Sequence, residues 1–142
     1  MKRETQASDR SSGPPATEPA LRAVAMPADA NPFGDIFGGW LLSQMDLAGG
    51  TVAARRAKGR TATVAITAMS FHRPVLIGDE VTCYARIIRV GTTSITVKVE
   101  SWVRRGTGEH QIAVTEGIFT YVAVDSERRP RVVPPEGPIA HA

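Results

Sequence analysis

The chain predicts an α+β fold: one short strand, one buried helix, then four antiparallel strands. Three observations carry the prediction. The stretch from Asn31 to Gly50 passes from a Pro/Gly/Asp loop into an apolar run with helical spacing. From Thr61 onward apolar and polar residues alternate, as they do along half-buried strands. Tight turn signals separate the alternating runs, which makes neighbouring strands antiparallel. A single helix set against a long antiparallel sheet is an α+β arrangement.

Taken in order, residues 1–20 are rich in Ser, Thr, Pro and charge, and read as a disordered leader. Leu21 to Met26 is a short strand stopped by Pro27. The helix is expected from Gly39 to about Ala57, with Leu41, Met45, Ala48 and Val52 on one stripe. Trp40, Leu42, Leu47 and Ala53 broaden that stripe, so the helix is expected to be largely buried. Gly49-Gly50 in its middle costs about 1 kcal/mol each relative to alanine, which implies a close approach by another segment. Gly59 is the expected C-terminal cap.

The strands are expected over Thr61–Ser70, Val81–Val90, Ser94–Arg105 and His110–Val124. Val64, Ile66 and Ala68 mark one face of the first; Val81, Cys83, Ala85 and Ile87 mark one face of the second. Ile95, Val97, Val99 and Val103 do the same for the third. The folded domain is placed at 21–127, and 128–142 read as a flexible proline-rich tail.

Composition narrows the function classes. The chain has 142 residues, 42% of them apolar and 22% charged, with a net charge of +3, which suits one globular domain. Nothing suggests a membrane span or an export signal, so the cytoplasm is the expected compartment. A single cysteine, Cys83, fits a reducing compartment and a packed core position. Aromatic residues are sparse and no nucleic-acid motif occurs, so nucleic acid is not an expected partner. The cluster Arg55-Arg56-Ala57-Lys58-Gly59-Arg60 complements a helix C-terminus, or receives a phosphorylated ligand.

The chemistry has few candidate residues. There is no Gly-x-Ser-x-Gly elbow, no phosphate loop, no dinucleotide fingerprint and no metal-ligand spacing. His72, His110 and His141 are scattered, and none is placed to activate Ser43. That leaves Asp46, a lone acid on an apolar helix, with Asn31 and the glycines Gly38 and Gly39 before it. Free N–H groups at a helix start favour developing negative charge. Gly38 and Asp46 are eight residues apart, about 12 Å along a helix axis, too far for one carbonyl to touch both. Two copies of the helix running antiparallel would bring them together, which points to a two-fold dimer.

The stretch Met26 to Asp46 resembles the signature of hotdog-fold acyl-CoA thioesterases of the YciA type. The likeness continues through Phe71-His-Arg-Pro74-Val-Leu-Ile-Gly78-Asp79-Glu-Val81, Arg89-Val-Gly91-Thr92-Thr93-Ser94 and Phe119-Thr-Tyr121-Val-Ala-Val-Asp125. This resemblance implies a curved antiparallel sheet wrapped around one long helix, two units pairing edge to edge, and assembly into trimers of dimers. It implies hydrolysis of an acyl-CoA thioester to a carboxylic acid and CoA, with no cofactor, since CoA belongs to substrate and product. Asp46 takes the position of the catalytic carboxylate and Asn31 that of a residue orienting water or substrate. Gly38 or Gly39 takes the position of the oxyanion donor. Where relatives often have asparagine, this chain has Phe33, next to the reacting centre. Arg60, Arg89 and the Gly91-Thr92-Thr93 turn are candidates to meet the CoA phosphates. A hydroxyacyl dehydratase and a non-catalytic acyl-CoA sensor are the rival readings on the same fold. A dehydratase wants a histidine beside the acid, where this chain has Phe37.

Overall fold

The structure, a computed structural model, describes residues 13–137. Six elements follow in chain order: β1 (Leu21–Val24), α1 (Gly38–Ala57), β2 (Thr61–Phe71), β3 (Glu80–Val90), β4 (Ser94–Arg104) and β5 (Gln111–Ala123). A single 3-10 turn, Pro27–Asp29, lies between β1 and α1. The five strands form one antiparallel sheet in the order β1-β3-β4-β5-β2. The long hairpins β3–β4 and β4–β5 build its middle, as the turn signals predict. β2 crosses over to the far edge, beside the last strand. No helix among the described residues is long and apolar enough to cross a membrane.

α1 lies against one face of this sheet. Leu41, Met45, Ala48, Gly49, Ala53 and Ala57 are its buried residues, recurring at roughly each turn along one face. They meet the inward rows of the central strands: Val81 and Cys83, then Ile95, Val97 and Val99, then Phe119 and Tyr121. Each fully buried side chain of Val to Phe size contributes roughly 1.5–3 kcal/mol.

Gly49 sets how close helix and sheet can come. A Cβ there would stand 2.5 Å from the Tyr121 hydroxyl and 3.1 Å from Val99 Cγ2. The mid-helix glycine is thus explained by a close approach, as the sequence suggested. Its neighbour Gly50 is less constrained, since a Cβ there would meet Tyr121 Cε2 at an ordinary 3.6 Å.

Four expectations are corrected. First, α1 buries only one face within the protomer: Leu47 is 57% exposed. Second, β2 is the open edge of the sheet and is exposed along most of its length, with Val64 57% and Phe71 53% accessible. Its Ala68 adopts a left-handed φ of 51°, within the irregular register between Thr67 and Ser70. Third, the left-handed residue closing α1 is Lys58, with φ 56°, rather than Gly59. Gly59 instead gives the Arg131 guanidinium room, since a Cβ there would lie 2.7 Å from it and make the arginine tip shift.

Fourth, the segment after residue 127 is held rather than loose. Arg131 N–H donates to the Ala123 carbonyl, and Val133 N–H donates to that of Thr92. The Arg131 side chain donates to the carbonyls of Ala57 and Val124, and Val133 is buried. Residues 138–142 lie outside the described residues, as do 1–12 of the expected leader. At the inner end of that leader, Ala20 N–H donates to the Cys83 carbonyl.

Candidate functional site

Asp46 projects from the middle of α1 towards β2 and β5. The Thr63 hydroxyl on β2 donates to Asp46 Oδ1 at 2.8 Å. The Tyr121 hydroxyl on β5 donates to the same oxygen at 3.0 Å, and also lies 3.2 Å from the Asp46 main-chain carbonyl oxygen. Both side-chain donors therefore converge on Oδ1, and Oδ2 receives none from the described residues. Tyr121 is only 1% exposed and stacks on Phe119, ring centroids 6.4 Å apart. Burial first, then the charge and hydrogen bond of Asp46, push its phenol well above the ordinary tyrosine range. It stays a neutral hydroxyl donor throughout the working pH range.

A cavity of about 430 Å³ opens beside this carboxylate, lined by Asp46, Gly50, Arg60, Thr61, Thr63 and Tyr121 among others. It runs between the exposed flank of α1 and the first residues of β2. Arg60, picked out from sequence as a phosphate contact, is the one cation on its wall among the described residues. The Gly91–Thr93 turn lies at the same end of the sheet. Thr93 accepts from the amide of Ala123, which stands opposite Thr61 in the sheet register. Arg89 is exposed on β3 opposite Thr96 and does not line the cavity.

The other predicted residues lie elsewhere in the protomer. Gly38 and Gly39 open α1 after Phe37, which supplies no side-chain cap. Both glycines are exposed, and their N–H groups meet no acceptor among the described residues. Two helical turns separate them from Asp46, so one protomer does not unite acid and amide donors. Asn31 shapes the preceding loop: its Oδ1 accepts from Phe33 N–H at 2.8 Å and Asp35 N–H at 3.1 Å. That Asx-type arrangement holds the tip in which Gly34 has φ 93° and Phe33 is 89% exposed.

Among the described residues no histidine stands beside Asp46. His72 lies 3.7 Å from Glu116 on another part of the sheet, His110 is exposed, and His141 is outside the described residues. Among the described residues no group of three or more His, Cys, Asp or Glu side chains could hold a metal ion.

Thr63 and Tyr121 escaped the sequence reading as site residues. One signal for Tyr121 does exist. Along the buried row of β5 (Thr115, Gly117, Phe119, Tyr121, Ala123) it is the larger of two polar side chains, and a buried phenol needs a partner. The lone acid of the facing helix is the natural one.

Comparison with known proteins gives the family and the fold. Residues 33–109 match the family model of the thioesterase superfamily. The chain is 50% identical over 119 residues to the acyl-CoA thioester hydrolase YciA of Escherichia coli K12, covering 82% of this chain and 90% of that one. Among solved structures it is similar to the hexameric thioesterase y2039 of Yersinia pestis, at 50% identity and TM-score 0.81, covering 85% and 98% of the two chains. It is also similar to HI0827, a hexameric broad-specificity acyl-coenzyme A thioesterase, at 43% identity and TM-score 0.81, covering 89% and 88%.

Proposed function

Since the chain belongs to the thioesterase superfamily and to the YciA-type acyl-CoA thioester hydrolases within it, we propose that it hydrolyses acyl-CoA thioesters with Asp46 as the catalytic carboxylate. The observation that carries this reading is the anchoring of Asp46 through Oδ1 at the edge of an open cavity, which leaves Oδ2 available.

On the general-base route, Asp46 Oδ2 takes a proton from water and the hydroxide adds to the thioester carbonyl carbon. The oxyanion collapses, the C–S bond breaks, and CoA leaves as its thiolate with the carboxylic acid as second product. On the nucleophilic route the carboxylate adds first, and water then hydrolyses the mixed anhydride. A thiolate is a good leaving group, so neither route needs a strong acid beside sulfur, and both use only water and substrate.

The oxyanion donors come from a second copy in this reading. β2 is the free sheet edge, and α1 runs alongside it in the opposite sense. Gly38 sits near Phe71, with a Cβ there 3.8 Å from its ring, whereas Asp46 touches Thr63. Antiparallel pairing of two β2 edges about residue 67 would set the Thr63 end of one against the Phe71 end of the other. The free Gly38 and Gly39 amides of one copy would then face Asp46 of its mate, and the exposed Val64, Ile66 and Phe71 would be covered. One oxyanion donor of this kind is worth about 2.7–4 kcal/mol. Asn31 holds the loop beside those amides and orients water or substrate. Three such dimers form the complete assembly, in line with the hexameric relatives. Arg60 meets the CoA phosphates, with the Gly91-Thr92-Thr93 turn and Arg89 further along the same end of the sheet.

The test replaces Asp46 by alanine and follows release of free thiol from acyl-CoAs of varied chain length. Turnover is expected to collapse while a non-hydrolysable analogue still binds, and active enzyme is expected to sediment as a dimer or larger. Retained turnover in the variant removes Asp46 from the chemistry. A fully active monomer removes the second copy's amides.

A further inference from the structure

We propose that Tyr121 is a positioning residue: its hydroxyl, together with that of Thr63, fixes Asp46 by Oδ1 so that Oδ2 alone is presented to the substrate. The inference rests on the reading of Asp46 as the catalytic carboxylate and adds a residue to which sequence assigned no role.

The geometry favours this over a purely structural tyrosine. An aspartate carboxyl turns easily about its last torsion, whose preferences are broad and two-fold. Left alone, either oxygen could face the cavity. Here two donors from two different strands, at 2.8 and 3.0 Å, meet on one oxygen. Tyr121 also lies 3.2 Å from the carbonyl oxygen of the same residue, so side chain and helix backbone are both gauged against one phenol.

That phenol has nowhere to go. It stacks on Phe119, and on its helix side the space for a Cβ is missing at Gly49. The sequence thus accepts a helix-weakening glycine at the one place that lets this hydroxyl reach Asp46. A phenylalanine would fill the same core volume without needing a partner for its hydroxyl. The charged or titratable side chains facing Asp46 across the cavity are Tyr121 itself, from β5, and Arg60, just before β2; α1 contributes no other.

The experiment is Tyr121→Phe in the full chain, assayed as the assembled enzyme beside Asp46→Asn. Loss of the donor is expected to lower kcat roughly tenfold or more, with KM within about twofold. Fluorotyrosine at position 121 keeps both the ring and the donor, and should hold kcat near that of the parent. Circular dichroism and melting curves report the fold separately. Wild-type kcat in Tyr121→Phe, with Asp46→Asn inactive, overturns the positioning role alone. Activity retained in Asp46→Asn overturns the reading beneath it. Should the phenylalanine variant not fold, Thr63→Val removes the other donor to Oδ1, and wild-type kcat there is the refuting result.

Discussion

Alanine substituted at Gly49 and at Gly50, one at a time, should act with opposite signs. Both sit inside α1, where alanine is favoured over glycine by about 1 kcal/mol on propensity alone. At Gly50 the new methyl meets Tyr121 Cε2 at 3.6 Å, an ordinary contact, so most of that gain should survive as about 0.5–1 kcal/mol of added stability. At Gly49 the methyl would stand 2.5 Å from the Tyr121 hydroxyl and 3.1 Å from Val99 Cγ2. Neither neighbour can yield easily, since Val99 is fully buried and Tyr121 nearly so. Overpacking of this kind costs about 1–3 kcal/mol. Displacing the phenol also loses a hydrogen bond to a carboxylate, worth about 1.5–3 kcal/mol. After the propensity gain is deducted, Gly49→Ala should be destabilised by about 1.5–5 kcal/mol. Equilibrium urea unfolding at matched protein concentration measures both variants against the parent. Equal stabilities for the two, or a gain at Gly49, would refute the claim that this glycine exists to admit Tyr121.

Two further outcomes follow from other parts of the molecule. Arg60→Gln should raise KM for acyl-CoA several-fold with kcat little changed, and the effect should shrink as salt is added; an unchanged KM at low ionic strength takes Arg60 out of substrate binding. Cys83 is buried, and burial pushes its thiol up to about 12. In the unfolded chain a thiol ionises near 8.5, so the folded state should keep its full stability below that pH and lose some of it as pH rises towards 12. At pH 8 the native protein should resist thiol reagents until denaturant is added, and rapid labelling without denaturant would contradict its packed position.

The central hairpins were legible because their alternation is clean. Val81 and Cys83 against Ile95, Val97 and Val99 each place an apolar side chain inward every second residue. Gly49 was legible for a similar reason, since a costly residue in mid-helix demands a close neighbour. The exposure of Leu47 and Val64 was not, because an apolar residue on an open flank or edge looks in sequence like one packed in the core. Thr63 and Tyr121 were missed because they reach Asp46 only through the pairing of β2 with β5, a contact between residues some sixty positions apart. The segment around Arg131 was missed because its hold on the domain runs through main-chain carbonyls at Ala57 and Val124, which leave no trace in composition.

The placement of β2 has a consequence for synthesis. Its partner within the protomer is the last strand made, with Thr61 pairing to Ala123. While the chain emerges from the ribosome, β2 must wait with both margins bare, and Asp46 has no Tyr121 to lean on. A nascent chain halted before residue 121 therefore holds every residue of the helix yet lacks one of the two donors to Asp46. Such long-range closure is slow and leaves a sticky edge in the interim.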